Sequence, residues 1–117
     1  MSANKALGLV RDLFFRTKID AVAAVVGAEV SYASTVDAAA KQCAAIAPAI
    51  IFADLSDASF PAAETLAAIR ANAPDARLVG FASHVDLKPL KAARDAGFDM
   101  TLSRSEFTAQ LPDLLRK

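Results

Sequence analysis

Six polar side chains stand where a short apolar run gives out: Arg11 and Asp12, Asp54, Ser83 and His84, and Arg104. Two carboxylates and two guanidinium groups brought to one place would pair. A fixed cation beside a carboxylate favours its ionised form and opposes the divalent ion that clustered carboxylates would otherwise hold. Other reactive residue types have plainer readings. Cys43 lies among alanines and is expected to be a small buried hydrophobe. His84 is expected to be structural or solvated, and Phe14 and Phe15 to pack into the core at the start of the first helix.

The elements that must position these groups follow from periodicity. Apolar runs at 7–11, 29–33, 49–53, 78–82 and 100–102 alternate with helical patterns, the signature of a parallel sheet wound with helices on both faces. The runs AIIFA and LVGFA lack polar alternation and are expected to be central strands buried on both sides. Phe15, Ile19, Val22 and Val26 recur at helical spacing, as do Ala62, Leu66 and Ile69, so each set lays one stripe on the sheet.

Ser34-Thr35-Val36-Asp37 reads as a capping box with Ser34 as its cap. Pro61 and Pro89 suit first helical turns, while Gly27, Gly97, Pro48 and Pro74 mark helix ends. A last helix is expected over 108–117, begun late because of Pro112, with Leu111, Leu114 and Leu115 inward. Five such βα units without a glycine-rich loop suggest an α/β, flavodoxin-like, doubly wound five-stranded parallel sheet in the order 2-1-3-4-5. Functional residues then gather beyond the C-terminal strand ends. That rule selects Arg11, Asp12, Asp54, Ala82, Ser83, His84 and Arg104.

Composition bounds the rest. At 117 residues the chain is expected to be one domain, 1–117, and its 55% hydrophobic content suffices for a core. Thirteen basic residues balance thirteen acidic ones, which disfavours a nucleic-acid partner. No signal peptide is evident and charges interrupt every apolar run, so no membrane span and a cytoplasmic location are expected.

Over nearly its whole length the chain resembles the CheY-like receiver domains of two-component response regulators. V-R-D-L-F-F-R-T-K-I is similar to their acidic-pair region, with Arg11 where the first acid stands and Asp12 as the second. F-A-D-L-S-D is similar to the phosphoacceptor turn, with Asp54 as candidate acceptor, and A-A-R-D-A-G-F-D to the end of the fourth helix. The resemblance places Ala82 at a position that carries a hydroxyl, with Ser83 beside it, and Arg104 at that of a lysine. It also sets Thr101 where a switching aromatic is common and Ser105 where a proline often follows.

Receiver chemistry uses a magnesium ion to neutralise charge on the transferring phosphoryl group. Asp12 and Asp54 are the candidate ligands. Arg11, expected to pair with either, leaves no metal or only weakly bound Mg2+. The other reading of Asp54 is a structural aspartate paired with Arg11 or capping its loop.

The resemblance therefore implies a stand-alone signalling module of phosphorelay type, not an enzyme, acting through protein contacts as an atypical phosphoacceptor or a pseudo-receiver. Its expected partners are a histidine kinase, a phosphotransfer protein or an output protein, met on a face built from residues 86–117, whose leucines could support a homodimer. The alternative is a flavodoxin-like small-molecule-binding or enzymatic domain. Against it stand the absent phosphate loop, the absent Asp-x-His-x-x-Gly motif and the absent cysteine after the first strand.

Overall fold

The computed structural model describes residues 4–83 and 88–116. His84 lies outside them, as do Asp86 and Lys117 at the two ends of the expected contact face. The elements run β1 (Lys5–Leu9), α1 (Leu13–Val26), β2 (Glu29–Tyr32), α2 (Val36–Ile46), β3 (Ile50–Asp54), α3 (Ala62–Asn72), β4 (Arg77–Ala82), α4 (Lys88–Ala96), β5 (Met100–Ser103) and α5 (Arg104–Leu115). All strands are parallel, in the order β2-β1-β3-β4-β5. Every residue of β3 is buried, as is all of β4 but Arg77, as expected for strands covered on both faces.

The alternation of strand side chains divides the core in two. Leu7, Leu9, Ile51, Ala53, Leu78 and Ala82 pack with residues of α2, α3 and α4. On the other face, Ala6, Ile50, Phe52, Val79, Phe81 and Leu102 pack with α1 and α5. Phe107 of α5 stacks on Phe81 with ring centroids 4.4 Å apart and also meets Phe52 and Phe15. Gly8 lets this layer close, because a Cβ there would lie 2.6 Å from the Phe52 ring and 3.0 Å from Tyr32.

Several boundaries differ from the sequence reading. β1 begins and ends two residues early, since Asp12 is the N-cap of α1 and the chain must leave the sheet before it. The cap of α2 is Thr35, whose hydroxyl accepts from Ala38 N–H; Ser34 instead accepts from the Arg16 guanidinium. α5 starts at Arg104, four residues before the expected 108. A capping box between Ser103 and Glu106 sets that start, and Pro112 is carried within the helix. Phe15 enters the core, but Phe14 does not: it is 86% exposed beside an exposed Leu13. Among the described residues, no helix is long and apolar enough to cross a membrane.

Candidate functional site

The C-terminal ends of β1, β3, β4 and β5 converge on one edge of the sheet, and each delivers its side chain by a different local device. Asp12 is fixed by its capping role: Oδ1 accepts from the N–H groups of Phe14 and Phe15 at 2.9 and 3.2 Å. Oδ2 is left facing Arg104, whose Nη1 is 3.8 Å away. Asp54 ends β3 on the α1/α5 face, where the alternation that buries Ile50 and Phe52 also directs its carboxylate. It is only 6% exposed. Its Oδ1 accepts from Ser56 N–H at 3.1 Å, and its Oδ2 takes the Arg104 Nη2 hydrogen bond at 3.2 Å.

Arg104 is the first residue of α5, so its backbone is held by the capping box while its side chain reaches back over the sheet. Its guanidinium lies 4.4 Å from the centre of the Phe15 ring and 5.9 Å from that of Phe81. The two carboxylates and the aromatic floor thus hold a single cation between them.

Arg11 does not pair with Asp12 or Asp54. Its Nη1 donates to Ser59 Oγ at 2.8 Å and lies 3.5 Å from Asp57 Oδ1, at the outer rim of the β3–α3 loop. The reason is reach and direction: Arg11 precedes the N-cap and turns to the β3–α3 loop, whereas Arg104 opens α5 after β5 and extends its side chain back to Asp54. The aspartate three residues after Asp54 therefore takes the pairing expected of Asp54 itself. Ala82 is fully buried in the cluster under α2, α3 and α4. One residue on, Ser83 donates its N–H to Ser56 Oγ at 2.9 Å, and the two serines line an open cleft of about 670 Å³ with Arg104 and Phe15. Thr101 receives a 3.4 Å hydrogen bond from Arg94.

Electrostatics follow burial. Desolvation pushes the Asp54 carboxyl above its ordinary value, overcoming the Ser56 N–H and the Arg104 charge that pull it down, with Asp57 adding to the rise. For Asp57 burial pushes upward most strongly of any single cause, but hydrogen bonds from Ser59 and the Arg11 cation together outweigh it and hold the carboxyl below the usual range. Burial likewise raises the Cys43 thiol, in keeping with a small core residue.

A metal ion fits this donor set poorly. Asp12 Oδ1 is occupied by two amides, and a guanidinium stands between the remaining carboxylate oxygens. Among the described residues, no group of three or more histidine, cysteine, aspartate or glutamate side chains could hold an ion.

Asp57, Ser59 and the aromatic floor under Arg104 escaped the sequence reading. Asp57 was present in the F-A-D-L-S-D run, and the S-x-x-E spacing of Ser103 and Glu106 was a signal for the true start of α5.

No family model and no curated protein matches the sequence. Solved structures do match. The receiver domain of a sensor histidine kinase from Pseudomonas aeruginosa, with a magnesium ion coordinated in its active-site cleft, superposes with a TM-score of 0.81 at 16% identity, covering 97% of this chain and 95% of that one. A response regulator from Hahella chejuensis gives 0.83 at 14% identity, covering 97% and 92%. A response regulator protein from Burkholderia pseudomallei, with a phosphorylated aspartic acid, calcium ion and citrate, gives 0.78 at 20% identity, covering 96% and 66%. The fold of this chain is the receiver fold.

Proposed function

We propose that this chain is a receiver-like signalling module of two-component type, acting through protein contacts in the pseudo-receiver form. One observation carries the reading: Arg104 lies between Asp54 Oδ2, at 3.2 Å, and Asp12 Oδ2, at 3.8 Å. Asp12 and Asp54 are the carboxylates that the resemblance to receivers assigns to a magnesium ion and to phosphoryl acceptance. Here a guanidinium already supplies their positive partner.

An acceptor aspartate must present a free oxygen to phosphorus while cations neutralise the oxygens of the transferring group. The Oδ2 of Asp54 is hydrogen-bonded to Arg104, Oδ1 to Ser56 N–H, and a divalent ion entering the site would have to displace a cation tethered to α5. Resident metal is therefore no part of this reading. Asp54 acts instead as the anchor by which β3 holds the first turn of α5. The contact face of residues 86–117 would be presented by that helix to a kinase, phosphotransfer or output protein, or to a second copy.

The test is incubation of the purified protein with acetyl phosphate and magnesium, followed by intact mass measurement. No gain of one phosphoryl group is expected. A gain that disappears in Asp54→Asn would replace this reading by that of an atypical phosphoacceptor with weakly bound Mg2+.

A further inference from the structure

The cleft beside Asp54 has chemistry that the aspartate site does not use. Its lining brings Lys18 from α1 together with Arg104, Ser105 and Thr108 from α5 and with Ser56 from the β3–α3 loop, above Phe15. Lys18 is one turn along from Phe15 on α1, and Thr108 is one turn along from Arg104 on α5. The two helices thus each bring polar groups to the wall of one cleft. Among the described residues, no carboxylate lines this cleft and Lys18 has no ion-pair partner.

Arg104 retains unused capacity. A guanidinium has five N–H donors; one is given to Asp54, and Nη1 faces Asp12 at 3.8 Å. Among the described residues its Nε has no acceptor. Ser56 Oγ accepts from Ser83 N–H and keeps its own proton to donate. Thr108 gives its proton to the Arg104 carbonyl at 2.9 Å, which holds the hydroxyl at the wall of the cleft.

The geometry points to a binding site for a small phosphomonoester, with Lys18 and Arg104 as its cations. A planar fork and a compact ammonium lining one cleft, with the Ser56 hydroxyl as a further donor, suit an oxyanion that has several acceptor oxygens. The cleft, about 670 Å³, exceeds a bare phosphate and lies within the roughly 300–1,000 Å³ of small-molecule sites, and Phe15 and Ala109 supply an apolar wall for an organic body. This site stands apart from the signalling reading, because the ligand is bound without transfer of its phosphoryl group. It shares Arg104 and Ser56 with that reading. Ligand and Asp54 draw on the same guanidinium, so removing the Asp54 charge strengthens binding.

The test is an amide NMR titration at constant ionic strength with phenyl phosphate and, separately, inorganic phosphate. Saturable shifts at Lys18, Ser105 and Thr108 are expected, with phenyl phosphate binding in the millimolar range and at least about threefold more tightly than inorganic phosphate. Lys18→Gln, an exposed position at which the fold is expected to persist, should weaken phenyl phosphate by about fivefold, and Asp54→Asn should tighten it by about threefold. Asp54→Asn has no acceptor carboxylate, so saturable binding there is independent of phosphorylation and of the outcome with acetyl phosphate. Shifts that stay linear to about 50 mM, well above the expected range, or a Lys18→Gln variant that binds like the wild type, would overturn the site. An ester no tighter than inorganic phosphate would overturn the ester assignment.

Discussion

Replacing Arg104 by methionine keeps most of the aliphatic stem and removes the charge that Asp54 faces. The Asp54 side chain is 9% exposed and that of Arg104 40%. The pair thus falls between surface ion pairs, worth about 0–1 kcal/mol, and buried ones, whose disruption from one side costs about 3–5 kcal/mol. Discounted for the exposed guanidinium, the expected loss near pH 7 is about 1–2 kcal/mol. The lost contact with the Phe15 ring adds roughly 0.5 kcal/mol. At about 4 °C per kcal/mol for a chain of this size, the melting temperature falls by about 6–10 °C.

The pH dependence has a definite sign. Burial raises the Asp54 carboxyl despite the Ser56 N–H and Arg104. A carboxyl raised on folding contributes stability that is complete below its unfolded value, about 3.9, and is lost as pH rises through its folded value. Without Arg104 the folded value rises further. The deficit of Arg104→Met should therefore be greatest near neutrality and should shrink toward the ring contact alone, roughly 0.5 kcal/mol, as pH falls toward about 3.5. Urea unfolding followed by circular dichroism across this range, repeated in an Asp54→Asn background, measures the coupling directly. A deficit that does not change with pH, or is as large in Asp54→Asn as in the wild type, would show that Arg104 acts by packing and not by holding a buried carboxylate.

Phe107→Ala should destabilise the protein by about 3–5 kcal/mol in the same unfolding measurement, because Phe107 is fully buried and meets Phe15, Phe52 and Phe81. Phe14→Ser, at an 86% exposed position, should stay within about 0.5 kcal/mol of wild type; a loss above roughly 2 kcal/mol would mean that Phe14 is covered in solution. Gly8→Ala should cost about 1–3 kcal/mol, since its Cβ would lie 2.6 Å from Phe52, and an unchanged melting temperature would refute that contact.

The sheet was legible in the sequence because its cause is local and repeated. Runs such as AIIFA and LVGFA, separated by helical stripes and stopped at Gly27 and Gly97, admit few arrangements other than a doubly wound sheet. The same pattern placed Asp12, Asp54, Ser83 and Arg104 at one edge, since position at a strand end is a property of the chain itself. Which cation meets which carboxylate was not local. Arg11 adjoins Asp12 in sequence yet pairs with Asp57 across the β3–α3 loop. Arg104 lies fifty residues from Asp54 and reaches it because Ser103 and Glu106 start α5 at the end of β5, from where its long side chain extends back to β3. Phe14 and Phe15 were indistinguishable by type, and only the rotation of α1 fixed by the Asp12 cap sends one to the core and the other to solvent. Long side chains choose partners by the directions in which their backbones launch them, and those directions exist only once helices and sheet are packed.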